Sequence, residues 1–272
     1  MQYFLLGGRG RLARALRSEY SLEQVHVLPR KIYEKWAGRD AEKDILHFFK
    51  ARLDGTPATV FVTAGVLDPN RPQEEIMRVN YSLSKNLVDS SAALGVRVVT
   101  FGTVMEGPGL SRNPYINSKI LLGNHVAGVA SRGDLAIHLR LHTHYGLGEP
   151  SPFMFLGQIL DSIRFGREFH MSSGAQLREF HHLADETLAI RATLDSAVTG
   201  VFTVSHGNPI TLRTVAETVY AAFNRNDLLK VNMFPDPKGE NYSQKFLQAQ
   251  QIQGVAFRPA LPGIVAYLRA IQ

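Results

Sequence analysis

Residues 2–16 read QYFLLGGRGRLARAL. The short apolar run Gln2 to Leu6 breaks on Gly7-Gly8-Arg9-Gly10, and Leu12, Ala13 and Leu16 then recur at helical spacing, so the stretch predicts strand, glycine turn and helix. The alternation continues outward. Residues 25–28 and 60–64, the latter closed by Gly65, predict a second and a third strand; Ile45, Leu46, Phe48 and Phe49 give residues 41–53 an amphipathic helical pattern between them. A helix over 73–94, a strand over 97–101, a helix beginning near Tyr115 and a strand over 135–141 follow. Strand and helix units of this length imply parallel strands joined by right-handed crossovers, hence an α/β fold with a doubly wound sheet. The regular pattern ends near Gly146. Beyond Pro150 and Pro152 come a helix over 155–165 and shorter mixed elements to Gln272. The expected organisation is a main domain over 1–146, to which later segments return, and a small C-terminal α/β lobe over 147–272.

Composition narrows the classes. With 272 residues, 44% hydrophobic and 20% charged, the chain has enough apolar material for one large core with an appendage. The absence of cysteine excludes disulfides, thiolate metal sites and a cysteine nucleophile. The formal charge of +6 invites a nucleic-acid reading, but the longest basic cluster is Arg30-Lys31. A scattered excess suits a small anionic ligand better, so nucleic acid is not expected as a partner. No apolar stretch approaches the roughly 20 residues of a membrane span, and a cytoplasmic protein without membrane contact is expected.

Gly7-x-x-Gly10-x-x-Ala13 stands where a dinucleotide fingerprint must stand to work: Gly7 permits the turn, Gly10 lets a pyrophosphate reach backbone N–H groups, and Ala13 allows close helix packing. The second strand ends Val27-Leu28-Pro29-Arg30-Lys31, without the carboxylate that would hold a ribose hydroxyl and repel a phosphate. Arg9 and Arg30 can instead clamp a 2′-phosphate, which favours NADP(H), with NAD(H) the alternative. Two stretches fit Tyr-x-x-x-Lys, Tyr81 to Lys85 and Tyr115 to Lys119. At i and i+4 on a helix the ammonium can stabilise a tyrosinate; a phenol of pKa about 10 needs about 4 kcal/mol of help to work near neutrality. Tyr115 follows a strand and the polar turn at Thr103, where ligands bind in open α/β sheets, whereas Tyr81 lies inside a long helix. Tyr115 and Lys119 are therefore the working pair.

Gly7-x-x-Gly10-x-x-Ala13, Thr63-Ala64-Gly65, Asn80, Thr103 and Pro114-Tyr115-x-x-Ser118-Lys119 together resemble the extended short-chain dehydrogenase/reductase family, and Leu139-Arg140, Tyr145-Gly146 and the run Arg178 to Asp185 resemble its later signatures. The resemblance implies a Rossmann domain with a small C-terminal lobe for a nucleotide-diphosphate sugar, in enzymes that serve, for example, cell-surface polysaccharide biosynthesis. It implies Tyr115 as acid/base, Lys119 as the group that tunes it and holds the nicotinamide ribose, and Thr103 as hydrogen-bond partner of the reacting oxygen. The implied cofactor set is Gly7, Arg9, Gly10, Arg11, Leu12, Arg30, Ala64, Gly65 and Asn80 with Tyr115 and Lys119. Arg178 matches an arginine aimed at the substrate pyrophosphate, and His142 and Thr143 fall where substrate contacts are expected.

The departures direct the choice of reaction. Thr103 stands only 12 positions before Tyr115, and Val104-Met105-Glu106 replaces the Asp-Glu expected after the Thr of a 4,6-dehydratase. Dehydration lacks its acid pair. The expected activity is that of an NADPH-dependent oxidoreductase reducing a nucleotide-diphospho-4-keto-(6-deoxy)sugar, with an NDP-sugar 4-epimerase or a non-catalytic NADP-sensing regulator as alternatives. His138, His142 and His144 share one strand face and His181-His182 follow downstream, but convergent ligands with fixed geometry are not evident, so no metal is expected. A homodimer is implied by the resemblance, through helices over 73–94 and 115–130, where Gly123, Ala127, Ala130, Ser84, Ser90, Ser91 and Ala92 are small enough for close approach.

Overall fold

The computed structural model describes residues 1–20, 24–107, 109, 111–243 and 246–272. Contacts divide the chain into two compact units, residues 1–141 with 193–203 and residues 142–192 with 204–272.

In the first unit, β1 (Gln2–Leu6), β2 (Val25–Leu28), β3 (Ala58–Val62), β4 (Arg97–Thr103) and β5 (Ala136–Leu141) join the returning strand Gly200–Thr203 in one parallel sheet. The order is β2, β1, β3, β4, β5, Gly200–Thr203, so the chain reverses direction across the sheet between β1 and β3. Every residue of β3 is buried, as expected for a central strand covered on both faces, whereas β2 buries only Leu28 fully. The helices are α1 (Arg11–Glu19), α2 (Arg30–Tyr33), α3 (Ala41–Lys50), α4 (Gln73–Met77), α5 (Leu83–Leu94) and α6 (Pro114–Ala130). Phe4, Trp36, Ile45, Phe49, Val60, Val98 and Val126 belong to one core, with Phe49 edge-on to Phe4 at 5.1 Å. These elements form the Rossmann-type doubly wound fold.

Two departures from the periodicity have physical causes. The third strand spans 58–62 rather than 60–64, and both Thr63 N–H (3.1 Å) and Thr63 Oγ1 (2.5 Å) donate to Leu6 O. Ala64 and Gly65 therefore lie beyond the strand, in the turn. The helix expected over 73–94 is continuous but carries one π-turn, Arg78–Ser82, between α4 and α5. It brings Asn80 fully inside, where its side chain accepts from Val66 N–H (2.8 Å) and donates to Val66 O (3.0 Å). Such single-turn insertions are frequent at functional positions.

The second unit has three two-stranded pairings, Thr143–Tyr145 with Phe180–His182, Leu177–Arg178 with Ile210–Thr211, and Phe169–His170 with Leu229–Lys230. Helices Phe155–Phe165, Leu212–Ala222 and Ala260–Ile271 supply much of its core, which includes Tyr145, Leu160, Phe180, Tyr220 and Leu268. Tyr220 is wholly buried, and its hydroxyl donates to Ser162 Oγ at 2.7 Å. No helix among the described residues is long and apolar enough to cross a membrane.

Candidate active site

The glycine turn lies at the carboxyl end of β1, beside the reversal point where open α/β sheets bind ligands. Gly7 has φ +84°, and a Cβ there would stand 2.4 Å from Ala64 N, so the turn excludes any side chain on two grounds. Gly10 precedes α1 in extended conformation and offers no side chain to cap the first-turn N–H groups. A bare helix N-terminus behind a glycine turn fits a pyrophosphate. Arg11 and Leu12 are half-buried in that first turn, and Arg9 is exposed. Arg30 opens α2 and is exposed, 3.7 Å from Glu34 across solvent. Burial raises the Tyr33 phenol, while its bond to the Gly7 backbone and the charges of Arg30 and Arg9 oppose that rise. Both guanidinium groups thus act on a side chain that touches the Gly7 turn.

The second cluster forms at the carboxyl end of β4. Asn113 caps α6 by accepting from Tyr115 N–H at 2.9 Å, and Pro114 takes the first helical position, where no N–H is needed. Tyr115 and Lys119 then stand one turn apart, with Lys119 Nζ 5.8 Å from the Tyr115 ring centre and donating to Phe101 O at 2.8 Å. Thr103 is half-buried at the end of β4, and its hydroxyl accepts from Met105 N–H at 3.3 Å.

Glu106 lies buried within reach of this pair, a role its sequence position did not announce. Its carboxylate accepts from Thr103 N–H (2.7 Å), Arg140 Nε (3.0 Å) and His138 Nε2 (3.2 Å). Burial opposes its ionisation, but the bonds from His138, Thr103 and Arg140 outweigh that and hold its carboxyl below the usual range. Burial lowers His138, and Thr100 Oγ1 is 2.8 Å from its other nitrogen, so a neutral ring donating from Nε2 satisfies the network. Burial, helped by the Glu106 charge, pushes the Tyr115 phenol up to about 12. Burial brings the Lys119 ammonium down to about 8, against the pull of Glu106.

Strand register builds the pocket. Thr100 pairs with His138 and Gly102 with Arg140 across β4 and β5, so all four share one face of the sheet. A Cβ on Gly102 would fall 1.9 Å from Glu106 Oε1, and one on Gly123 of α6 would fall 3.0 Å from Glu106 Oε2. The missed signal was this set of small and ionisable residues, which only register makes coherent.

In the second unit, Arg178 is half-buried, donates to Leu177 O at 2.9 Å and pairs with Glu240. Thr143 is half-buried, and its N–H donates to Glu179 O. The His142 side chain, where a substrate contact was expected, is wholly enclosed, packed against His181 and edge-on to Phe246. His138 belongs to the Glu106 pocket, apart from the histidines of the second unit. In the other Tyr-x-x-x-Lys stretch, Tyr81 packs on the core of the first unit and Lys85 pairs with Asp89 at 2.5 Å.

A doubly wound sheet with a bare glycine turn and a Tyr-x-x-x-Lys helix at its carboxyl edge defines a dinucleotide-binding class. A sequence model of the NAD dependent epimerase/dehydratase family matches residues 4–204, and the chain belongs to that family. Among solved structures, MoeE5 in complex with UDP-glucose and NAD is similar over 100% of both chains, with TM-score 0.75 and 18% identity. UDP-glucose 4-epimerase from Thermotoga maritima, solved with UDP-glucose, is similar over 100% of this chain and 98% of its own, with TM-score 0.76 and 16% identity. DesIV, a dTDP-glucose 4,6-dehydratase from Streptomyces venezuelae with NAD bound, is similar over 99% and 96%, with TM-score 0.73 and 17% identity. A sequence search of curated proteins finds no significant match.

Proposed function

We propose that the chain is a cytoplasmic NADPH-dependent reductase of a nucleotide-diphospho-4-keto-(6-deoxy)sugar. Gly7, Gly10, Arg11 and Leu12 take the cofactor pyrophosphate at the backbone; Arg9 and Arg30 take the 2′-phosphate. Ala64, Gly65 and Asn80 shape the ribose side, and Lys119 holds the nicotinamide ribose. The dinucleotide, when bound, supplies the hydride for the carbonyl carbon. Tyr115 gives its proton to the alkoxide oxygen, and Thr103 hydrogen-bonds the same atom. Arg178 exchanges Glu240 for the substrate pyrophosphate, and Thr143 lies along the same strand pairing as the run that begins at Arg178.

The observation that carries this reading is the placement of Tyr115 one turn from Lys119, near Thr103 at the carboxyl end of β4. Burial and the Glu106 charge raise its phenol, so at neutral pH it has a proton to give. Replacing Tyr115 by Phe should cut turnover of NDP-4-ketosugars at least a hundredfold while NADPH binding stays within about twofold. Unchanged turnover would refute the mechanism and favour an NADP-sensing regulator. The other reading, an NDP-sugar 4-epimerase, requires purified protein that retains its cofactor and interconverts NDP-sugars without added NADPH. A panel of NDP-4-keto-6-deoxysugars, followed by NADPH oxidation, decides between them.

A further inference from the structure

Six ionisable side chains converge in the second unit, and the proposed reaction uses none of them. Glu179 is fully buried on the strand pairing of the unit, and its Oε2 is 2.9 Å from His181 Nε2, 3.8 Å from His206 Nδ1 and 3.8 Å from His142 Nε2. Ligand atoms of Glu179, His181 and His206 all lie within 4.8 Å of one another. The His142 side chain is fully enclosed, and neither of its ring nitrogens has a hydrogen-bond partner among the described residues. Behind His181, Glu186 is also fully buried, with Oε1 3.5 Å from His181 Nδ1 and Oε2 3.3 Å from His144 Nδ1. Neither oxygen of Glu186 has a hydrogen bond of normal geometry among the described residues.

Two enclosed carboxylates need compensating charge, which a divalent cation supplies. Ligands at the 2.0–2.1 Å of a tetrahedral zinc site lie about 3.3 Å from one another, and the 2.9 and 3.8 Å separations of Glu179 Oε2 from His181 and His206 bracket that edge. Glu179, Glu186 and one divalent ion sum to zero charge. The donors are two imidazoles and one carboxylate, which suits zinc-class ions and not magnesium or calcium, whose ligands are oxygens. With His181 Nε2 on the ion, its Nδ1–H faces Glu186, the usual outer carboxylate of a metal-bound histidine.

We propose that the second unit binds one zinc-class divalent ion through Glu179, His181 and His206, with Glu186 orienting His181. Three protein ligands leave the fourth position to water. The ion ties the Phe180–His182 strand to the 204–207 turn, whose Ser205 Oγ, His206 N–H and Gly207 N–H already donate to Glu179 at 2.7–2.8 Å. His206 lines a surface cavity of about 410 Å³ with Asn208, Phe257 and Arg258, which gives the ion a path from solvent. Its Nδ1 accepts from Asn208 N–H at 3.1 Å, a bond the ion replaces. The sequence expectation of no metal lacked the carboxylate and the convergence; the fold supplies Glu179 and brings His206 to it.

The test strips the full-length protein with chelator, dialyses it and titrates it with Co²⁺ and then Zn²⁺. The expected result is one equivalent of Co²⁺ with an intense visible band of four-coordinate geometry, displaced by Zn²⁺, and a rise in Tm on loading. The H206Q variant, checked for folding by circular dichroism, should lose the band and weaken binding at least a hundredfold. Glu186→Gln should weaken it about 10–100-fold with the band retained. Absence of stoichiometric binding by the wild-type protein overturns the proposal, and so does unchanged binding by the H206Q variant. NADPH binding, read separately by fluorescence, keeps this outcome independent of the proposed reaction.

Discussion

Lys119 is the residue whose charge state governs the site. Burial brings its ammonium to about 8, whereas Tyr115 stays protonated to about 12, so an alkaline loss of activity near pH 8 belongs to the lysine and not to the tyrosine. As pH rises through 8 the Lys119 ammonium, proposed to hold the nicotinamide ribose, loses its charge, and kcat/KM should fall about tenfold per pH unit beyond it. A pH–rate profile checks this: a flat profile to pH 10 would contradict it, and Lys119→Arg should retain its charge and remove the limb. Arg9 and Arg30 make a second residue-scale case, since both act on Tyr33 beside the Gly7 turn. Replacing either by Ala should weaken NADPH about tenfold relative to NADH, read from the two dissociation constants. Equal losses for both cofactors would show that the guanidinium groups do not read the 2′-phosphate. The Gly7 turn was legible from chain order alone, because a strand, a turn and a helix follow one another locally. Glu106 was not, because its partners lie on another strand.

At the scale of elements, β4 and β5 make the Glu106 pocket by register. A one-residue slip would turn Thr100, Gly102, His138 and Arg140 to the other face. Gly102→Ala places a Cβ 1.9 Å from Glu106 Oε1 and 2.2 Å from His138 Nε2, so it should destabilise the fold by about 1–3 kcal/mol and displace the carboxylate from Tyr115. Urea denaturation measures the first effect. A lowered alkaline pKa of Tyr115, seen by ultraviolet titration, measures the second, and a variant as stable as wild type would argue against a packed pocket. The helix over 73–94 was legible from its period, but the π-turn at Arg78–Ser82 leaves no periodic trace, because it adds backbone without changing which side chains are apolar. Asn80 was recognised by resemblance. What it does, bonding both backbone groups of Val66, came from that turn.

At the scale of the molecule, the implied dimer meets a constraint. Ser84, Ser90, Ser91 and Gly123, expected to lie between subunits, are buried within the chain itself, where α5 and α6 pack side by side with His125 and Asp89 joined at 2.6 Å. The outward faces keep Ala92 and Ala127 exposed. If these faces pair, light scattering should give a mass near twice 30.2 kDa, and A92R/A127R should halve it. A wild-type monomer would refute the pairing. Local order along the chain was enough to determine the alternating fold, the glycine turn and the Tyr115–Lys119 pair, because each depends on spacing within one or two elements. The tertiary structure decided the rest. The Glu106 pocket, the enclosure of His142 and the convergence of Glu179, His181 and His206 join residues up to dozens of positions apart. No periodicity encodes such contacts; they exist only once strands are in register and buried charges must find partners.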